Sequence, residues 1–351
     1  MRRKTMAEKK DVIILSIETS CDETSVALVK NGRWILSNVI SSQIEIHKPY
    51  GGVVPEIASR HHLENINKVT EKALKDSDLT FSHVDVVAVT YGPGLVGALL
   101  IGIATAKAYA YSLSVPLVGV DHMASHMAAN YIEHKDLKPP FTSLIISGGH
   151  TQLVRVKDYN LWEILGETRD DAVGEAFDKV ARILGLGYPG GPLVEEAALT
   201  GDSEKVYFKR VYLEKDSYDF SFSGVKTAVL NYVNSNRQKD EEININDIAA
   251  GFQEAVFTVL VEKSIRAAKE EETGKLVIAG GVAANKRLRE LLRKRCYEEG
   301  LELYYPQLLL STDNAAMVGS AGYYLFKEGK VKDLDLDAYP NLRMDHGHNL
   351  C

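Results

Sequence analysis

VIILSIETSCDETSVALVKNGRWILSNVI, residues 12–40, reads as three strands joined by two turns. Val12–Glu18 is an apolar, β-rich run, Thr24–Lys30 is a second, and Asn31-Gly32 is a strong hairpin signal leading into Trp34–Ile40. Downstream, helical spacing over Pro55–Ala73 precedes a strand at Val84–Thr90, the loop Tyr91-Gly92-Pro93-Gly94, a helix to about Tyr111 and a strand at Pro116–Val120. A helix carrying His122 and His126 closes this half.

Near Pro139-Pro140 the pattern starts again, with Phe141–Ser147, a Gly148-Gly149 turn, Thr151–Val156 and a third strand at Trp162–Gly166. Helices then surround a strand at Lys275–Ala279, a helix at Asn285–Arg295, a strand at Leu301–Tyr304 and a last helix from about Asp313 to Phe326. Three strands, helix, strand, helix, strand, helix, written twice, predicts an α/β chain of two similar domains around a ligand cleft. The expected limits are 11–138 and 139–330, the last helix packing back toward the cleft, with 1–10 and 331–351 as terminal extensions.

The chain has 351 residues, more than one core usually supports. With 45% hydrophobic and 25% charged residues it belongs among globular proteins. No apolar stretch reaches the roughly 20 residues of a membrane span. The basic start MRRKTMAEKK is followed by an apolar run that is short and meets Glu18, so a cytoplasmic location is expected. Cys21, Cys296 and Cys351 form neither a disulfide framework nor a CxxC pair. A net charge of −7 argues against a protein that coats nucleic acid alone, so any RNA contact is local or shared.

In DHMASHMAAN, His122 and His126 share one helical face, a spacing that suits two ligands of one metal as well as two ordinary histidines. A third ligand has to come from elsewhere, and Asp313 in Ser311-Thr312-Asp313-Asn314 is the candidate, although it is equally placed to cap a helix. Met123 follows His122, so the general-base glutamate of a HExxH protease is missing.

Ser147-Gly148-Gly149-His150-Thr151 is either a plain hairpin turn or a phosphate cradle of exposed amides, and Glu18–Ser25 is its counterpart in the first half. Gly280-Gly281 ahead of Asn285 opens a helix where an adenosine can approach, and Gly187–Pro192 is a tight turn with the same alternative. Asp170 and Asp171 suit a helix start through the helix dipole. Asp178 suits either a ligand contact or a salt bridge, and Lys226 in FSFSGVK either an anion contact or solvent. Lys286, Arg287, Arg289, Arg293, Lys294 and Arg295 crowd one helix, a solvated face that is also the best local RNA footprint.

SIETSCDETSVALV, GGVVPEIASRHH, YGPGLVGALLIG, DHMASHMAA, SGGHTQL, GEAFDKVARILGLGYPGGP, FSFSGVKTA, GGVAAN and STDNAAM together resemble the tRNA adenosine threonylcarbamoyltransferase family from about Val12 to Lys327. The resemblance implies the duplicated actin/Hsp70-like ATPase fold. It implies one divalent metal per chain, Fe2+ ahead of Zn2+, on His122, His126 and Asp313. The implied substrate contacts are Ile145, Ile146, Ser147, Gly148, Gly149, Asp178, Gly191, Glu195 and Asn285. Threonylcarbamoyl-adenylate is then the donor, ATP or ADP can occupy the cleft, and the acceptor is N6 of the adenosine 3′ of the anticodon in tRNAs reading codons that begin with A. The implied partners are tRNA, a shorter paralogue (TsaB-like) and a small ATPase (TsaE-like). The general base is open among Asp22, Glu23 and His150. A carbamoyltransferase of this fold acting on a small molecule and an inactive scaffold paralogue are the competing readings.

Overall fold

The computed structural model describes residues 11–344; the N-terminal extension and the tail with His346 and His348 lie outside them. The described chain forms two compact units, one of residues up to Gln43, Val53–Leu137 and Asp313–Met344, the other of Ile44–Gly52 and Lys138–Thr312.

The first unit opens with β1 (Ile13–Glu18), β2 (Glu23–Lys30) and β3 (Trp34–Ser42). Asn31 and Gly32 both take left-handed backbone, φ 52° and 67°, as the Asn-Gly pair allows. After the short α1 (Ile44–His47) of the second unit come α2 (Pro55–Asp76), β4 (Val86–Gly92), α3 (Val96–Leu113), β5 (Leu117–Asp121) and α4 (His122–Glu133). The sheet order is β3-β2-β1-β4-β5, with β1 antiparallel to β2 and parallel to β4. A central strand is covered on both faces, which is why β1 is an almost unbroken buried run. Leu15, Ile17, Val26, Leu28, Val87 and Val89 meet α2 and α3 in one core, each such side chain contributing roughly 1.5–3 kcal/mol of burial. Helix α3 is apolar enough by composition to cross a membrane, but Leu99, Ile103, Ala106 and Ala110 pack into this core.

The second unit repeats the plan. It contains β6 (Phe141–Ile146), β7 (Thr151–Asp158), β8 (Leu161–Glu167), α5 (Val173–Leu184), α6 (Gly190–Ala198), α7 (Ser223–Gln238), α8 (Ile245–Glu270), β9 (Lys275–Ala279), α9 (Lys286–Glu299), β10 (Glu302–Tyr304) and α10 (Leu308–Ser311). Its sheet order, β10-β9-β6-β7-β8, is the same order with the second set of strands, β6 being antiparallel to β7 and parallel to β9. Phe177, Phe252 and Phe257 fill its core, with ring centroids 4.9 and 5.4 Å from Phe177.

Two boundaries differ from expectation. Helix α11 (Ala315–Lys327) belongs to the first unit, lying against β1, β2, β4 and α4, so the second unit ends at Thr312 and not at 330. Small residues permit this: a Cβ on Gly319 would stand 2.7 Å from Val29 Cγ2, and one on Gly322 would stand 2.8 Å from Ala88 Cβ. Residues 331–344 are likewise part of that unit and not an extension. Lys332 N donates to Leu117 O at 2.8 Å, Tyr339 N to Tyr91 O at 2.8 Å, and Leu336 is buried in the core. Main-chain pairing to two strand ends is not written in side-chain pattern.

Candidate functional site

In the first unit the candidate site grows from the carboxyl ends of β1 and β5. The partly buried Asp121 ends β5 and caps α4, accepting from Met123 N at 2.7 Å and Ala124 N at 2.9 Å. Burial pushes its carboxyl up to about 6, against the pull of those amides and of His122. The cap starts the helix at His122, so His122 and His126 fall one turn apart with ring centroids 4.7 Å apart.

Asp313 joins them from the segment before α11. The cap of that helix is its neighbour Asn314, whose Oδ1 accepts from Met317 N at 3.1 Å. Asp313 Oδ1 instead lies 3.6 Å from His122 Nε2 and 3.2 Å from His126 Nε2. The three ligand atoms all lie within 4.8 Å of one another. Atoms bound about 2.1 Å from one tetrahedral ion stand about 3.4 Å apart, and the two separations bracket that value. His126 is 1% exposed, yet neither ring nitrogen has a hydrogen-bond partner. A buried imidazole left so carries a desolvation cost that a metal bond would offset. The residues therefore fit a metal, and two imidazoles with one carboxylate leave coordination positions open.

Sequence reasoning read Glu18, the last residue of β1, only as the start of a turn and missed its contact with His122. Fully buried, it accepts from Ser20 N at 2.6 Å on Oε1, and on Oε2 from Thr90 Oγ1 at 2.6 Å and His122 Nδ1 at 3.1 Å. Burial opposes its charge, but His122 holds its carboxyl below the usual value. For His122, burial works downward and is overcome by Asp313 and Glu18, which lift the imidazole to about 9. A charged residue ending the apolar run IILSIE was the available signal.

Asp22 and Glu23 follow on the same hairpin. Burial raises Glu23 well above the usual carboxylate range, and the charges of Asp22 and Asp313 add to the rise. The buried His62 of α2 ties this loop down, Nε2 donating to Cys21 O at 2.9 Å and Nδ1 accepting from Thr24 Oγ1 at 2.8 Å. Burial raises the Cys21 thiol as well, so it is not held as a thiolate.

In the second unit the glycine loops gather at the carboxyl ends of β6 and β9, where open α/β sheets place ligands. Gly280, at φ 90°, is held so close that a Cβ would stand 2.4 Å from Ile146 O. Gly174 N donates to Ser147 O at 3.2 Å, which brings the start of α5 against the same loop. Ile145 and Ile146 are wholly buried, so only their main chain is offered to a ligand. Space is open beside Gly148, Gly149 and Gly191, where a Cβ would meet nothing within 4 Å. His150 belongs to this loop, its N donating to Ser147 Oγ at 3.1 Å.

Asp178, Gly191, Glu195 and Asn285 are brought together by main-chain ties. Asp178 Oδ1 accepts from Gly190 N at 2.7 Å, joining α5 to α6, and Glu195 Oε1 accepts from Lys286 N at 2.8 Å, joining α6 to α9. Asn285 caps α9 through Leu288 N at 3.1 Å and donates to Gln253 Oε1 at 3.0 Å. Burial raises the Asp178 carboxyl.

Three expectations are corrected. Asp170 and Asp171 do not serve the α5 dipole: Asp170 holds Phe222 N at 2.8 Å, and Asp171 holds Lys179 and Lys226, each at 2.7 Å. Lys226 is thus paired and not presented to an anion. The arginines of α9 are occupied within the unit, Arg287 by Glu254 at 3.0 Å, Arg289 by Pro306 O at 2.9 Å, Arg293 by Tyr305 Oη at 2.6 Å and Arg295 by Glu299 at 3.3 Å. Lys286, Arg293 and Lys294 are its exposed cations. These partners are distant in sequence, save Glu299, so charge pattern alone did not reveal them.

Two units of equal strand order, one carrying a two-histidine, one-carboxylate cluster able to hold a metal and the other glycine loops at its strand ends, define an α/β protein of the duplicated actin/Hsp70-like fold class. Among solved structures, HypF from T. kodakarensis matches with a TM-score of 0.63 at 16% identity, covering 93% of this chain and 49% of that one. Component A of the Acidaminococcus fermentans (R)-2-hydroxyglutaryl-CoA dehydratase matches with a TM-score of 0.53 at 16% identity, covering 90% and 98%. Both likenesses speak for the fold alone. Residues 34–320 match the sequence model of the TsaD family, described as tRNA N6-adenosine threonylcarbamoyltransferase. A protein of that name from Clostridioides difficile is 57% identical over 335 residues, spanning 95% of this chain and 99% of the relative. Another from Clostridium perfringens is 55% identical over 332 residues, spanning 95% and 98%. The chain belongs to the tRNA N6-adenosine threonylcarbamoyltransferase family.

Proposed function

We propose that this chain transfers the threonylcarbamoyl group of threonylcarbamoyl-adenylate to N6 of the adenosine 3′ of the anticodon in tRNAs reading codons that begin with A. The N6 amine attacks the carbamoyl carbon, the new C–N bond forms, and the bond from that carbon to the phosphate oxygen breaks as AMP leaves with the electron pair. The observation that carries the reading is the meeting of His122, His126 and Asp313, with the buried His126 nitrogens lacking hydrogen-bond partners, in a chain of this family.

His122, His126 and Asp313 would hold one divalent metal. Two imidazoles and a carboxylate suit Fe2+ first and Zn2+ second. When bound, the metal supplies Lewis-acid polarisation of the donor and a template for it. The amides of Ser147–Gly149 hold the adenylate phosphate, and Asp178, Gly191, Glu195 and Asn285 frame the nucleoside, a site that ATP or ADP also fits. Asp22, Glu23 and His150 are the groups to receive the N6 proton, and Glu23 feels the charges of Asp22 and Asp313. Lys286 and Lys294 offer a local tRNA contact, the remainder falling to a shorter TsaB-like paralogue and a small TsaE-like ATPase in the cytoplasm.

Purified chain and partners, incubated with threonylcarbamoyl-adenylate and unmodified tRNA, are expected to yield N6-threonylcarbamoyladenosine by mass spectrometry, and His122→Ala to yield none while retaining its fold. No product from active partners would turn the reading toward carbamoyl transfer to a small molecule. Full product from His122→Ala would remove the metal centre from it.

A further inference from the structure

Glu18 contributes nothing to the ligand set, yet it is buried completely and held from three directions. Its Oε1 takes Ser20 N at 2.6 Å; its Oε2 takes Thr90 Oγ1 at 2.6 Å and His122 Nδ1 at 3.1 Å. A carboxylate accepts at both oxygens, so it satisfies all three donors at once and draws the imidazole proton to Nδ1. The lone pair of His122 then sits on Nε2, the nitrogen 3.6 Å from Asp313 Oδ1. We infer that Glu18 is a positioning residue for the metal: it sets the tautomer and the ring orientation of His122 and so sets the affinity of the centre. This rests on His122, His126 and Asp313 being the ligands.

The geometry separates Glu18 from its neighbours. Ser20 Oγ also approaches His122 Nδ1, at 3.2 Å, but a hydroxyl both donates and accepts and so imposes no tautomer. In Glu18→Gln one terminus becomes an NH2 group. If it faces Ser20 N, two donors oppose each other. If it faces His122, it donates to Nδ1 and sends the ring proton to Nε2, the face that must bind the metal. Either arrangement weakens binding without removing a ligand. Outer carboxylates of this kind are worth about 10–100-fold in metal affinity.

The test is the Zn2+ dissociation constant of the full chain, measured by competition with a chromophoric chelator, together with the melting temperature of the metal-free protein. Glu18→Gln is expected to weaken Zn2+ binding about 10–100-fold, Ser20→Ala to leave it unchanged and His126→Ala to abolish it. Wild-type affinity in Glu18→Gln, or a lowered metal-free melting temperature as its only effect, overturns the inference and leaves the ligand assignment standing. Failure of the wild-type chain to bind Zn2+, or unchanged binding by His126→Ala, overturns the ligand assignment itself. Should Glu18→Gln not fold, Glu18→Asp serves in its place: it keeps the charge but withdraws it by one methylene, so weakened binding supports the inference and wild-type affinity overturns it.

Discussion

Asn314 caps α11 through Met317 N at 3.1 Å, and because it does, the adjacent Asp313 turns its carboxylate to within 3.2 Å of His126 Nε2. Two residues that are both good helix caps stand side by side, and the fold gives each a different task. Asp313→Ala should therefore abolish transfer without the loss of a helix cap, and any stability it costs the metal-free protein should be the part that His122 loses on titrating, fading as pH rises toward about 9. Asn314→Ala should cost about 1 kcal/mol by loss of the cap. Chemical denaturation of both variants without metal above about pH 9, beside the transfer assay, checks this pairing, and a large stability loss in Asp313→Ala at that pH would contradict it.

Protonation gives the metal-free centre a pH signature. His122 is lifted from 6.5 to about 9 by Asp313 and Glu18, in spite of burial. A base with a raised folded pKa contributes stability that is whole below its unfolded value and is lost as pH climbs through the folded one. The melting temperature of metal-free protein should accordingly carry a decline between pH 6.5 and about 9 that His122→Ala removes. Metal requires the unprotonated Nε2, so binding in that window should release a proton, measurable in buffers of different ionisation enthalpy.

Glu23 carries a second signature of the same sign. Its raised carboxyl favours the protonated folded form, so ionising it opposes folding as pH passes upward through the folded pKa. Glu23→Gln should stabilise the metal-free chain at neutral pH relative to wild type, read by thermal melts at pH 5 and pH 8. An equal effect at both values would contradict the assignment.

Close approach makes two glycines hard to replace. Gly280→Ala would bring a Cβ 2.4 Å from Ile146 O at a left-handed φ of 90°, and Gly319→Ala would set one 2.7 Å from Val29 Cγ2. Each should destabilise by about 1–3 kcal/mol or more in urea denaturation. A neutral result would mean that the strand ends give way easily.

In α9, Lys286→Ala with Lys294→Ala should flatten the dependence of log Kd for tRNA on log salt by up to about 1–2, whereas Arg287→Ala, which loses a Glu254 pair, should change stability more than slope. Filter binding across salt concentrations separates the two.

Much of this is legible in the sequence alone. Alternating apolar residues and the Asn31-Gly32 turn gave the first three strands, and the restart at Phe141 gave the second unit, because strand period and turn chemistry are local. His122 and His126 were legible through helical spacing. What decided between cap and ligand at Asp313 was not local, since Asn314 next to it can cap as well. Glu18 hid because strand residues are read for burial, and a buried carboxylate declares its purpose only when His122 and Thr90 arrive from other elements. The partners of the α9 arginines and of Lys226 come from distant segments too. Helix α11 was assigned to the wrong unit because its small residues show that it packs closely but not on which sheet.

The most direct test of the account is removal and return of the metal. Wild-type chain stripped by chelation should lose threonylcarbamoyl transfer to tRNA and regain it with Fe2+ or Zn2+, while Asp313→Ala treated identically should regain nothing. Full transfer by protein shown to be free of metal would contradict the claim that His122, His126 and Asp313 form the working centre.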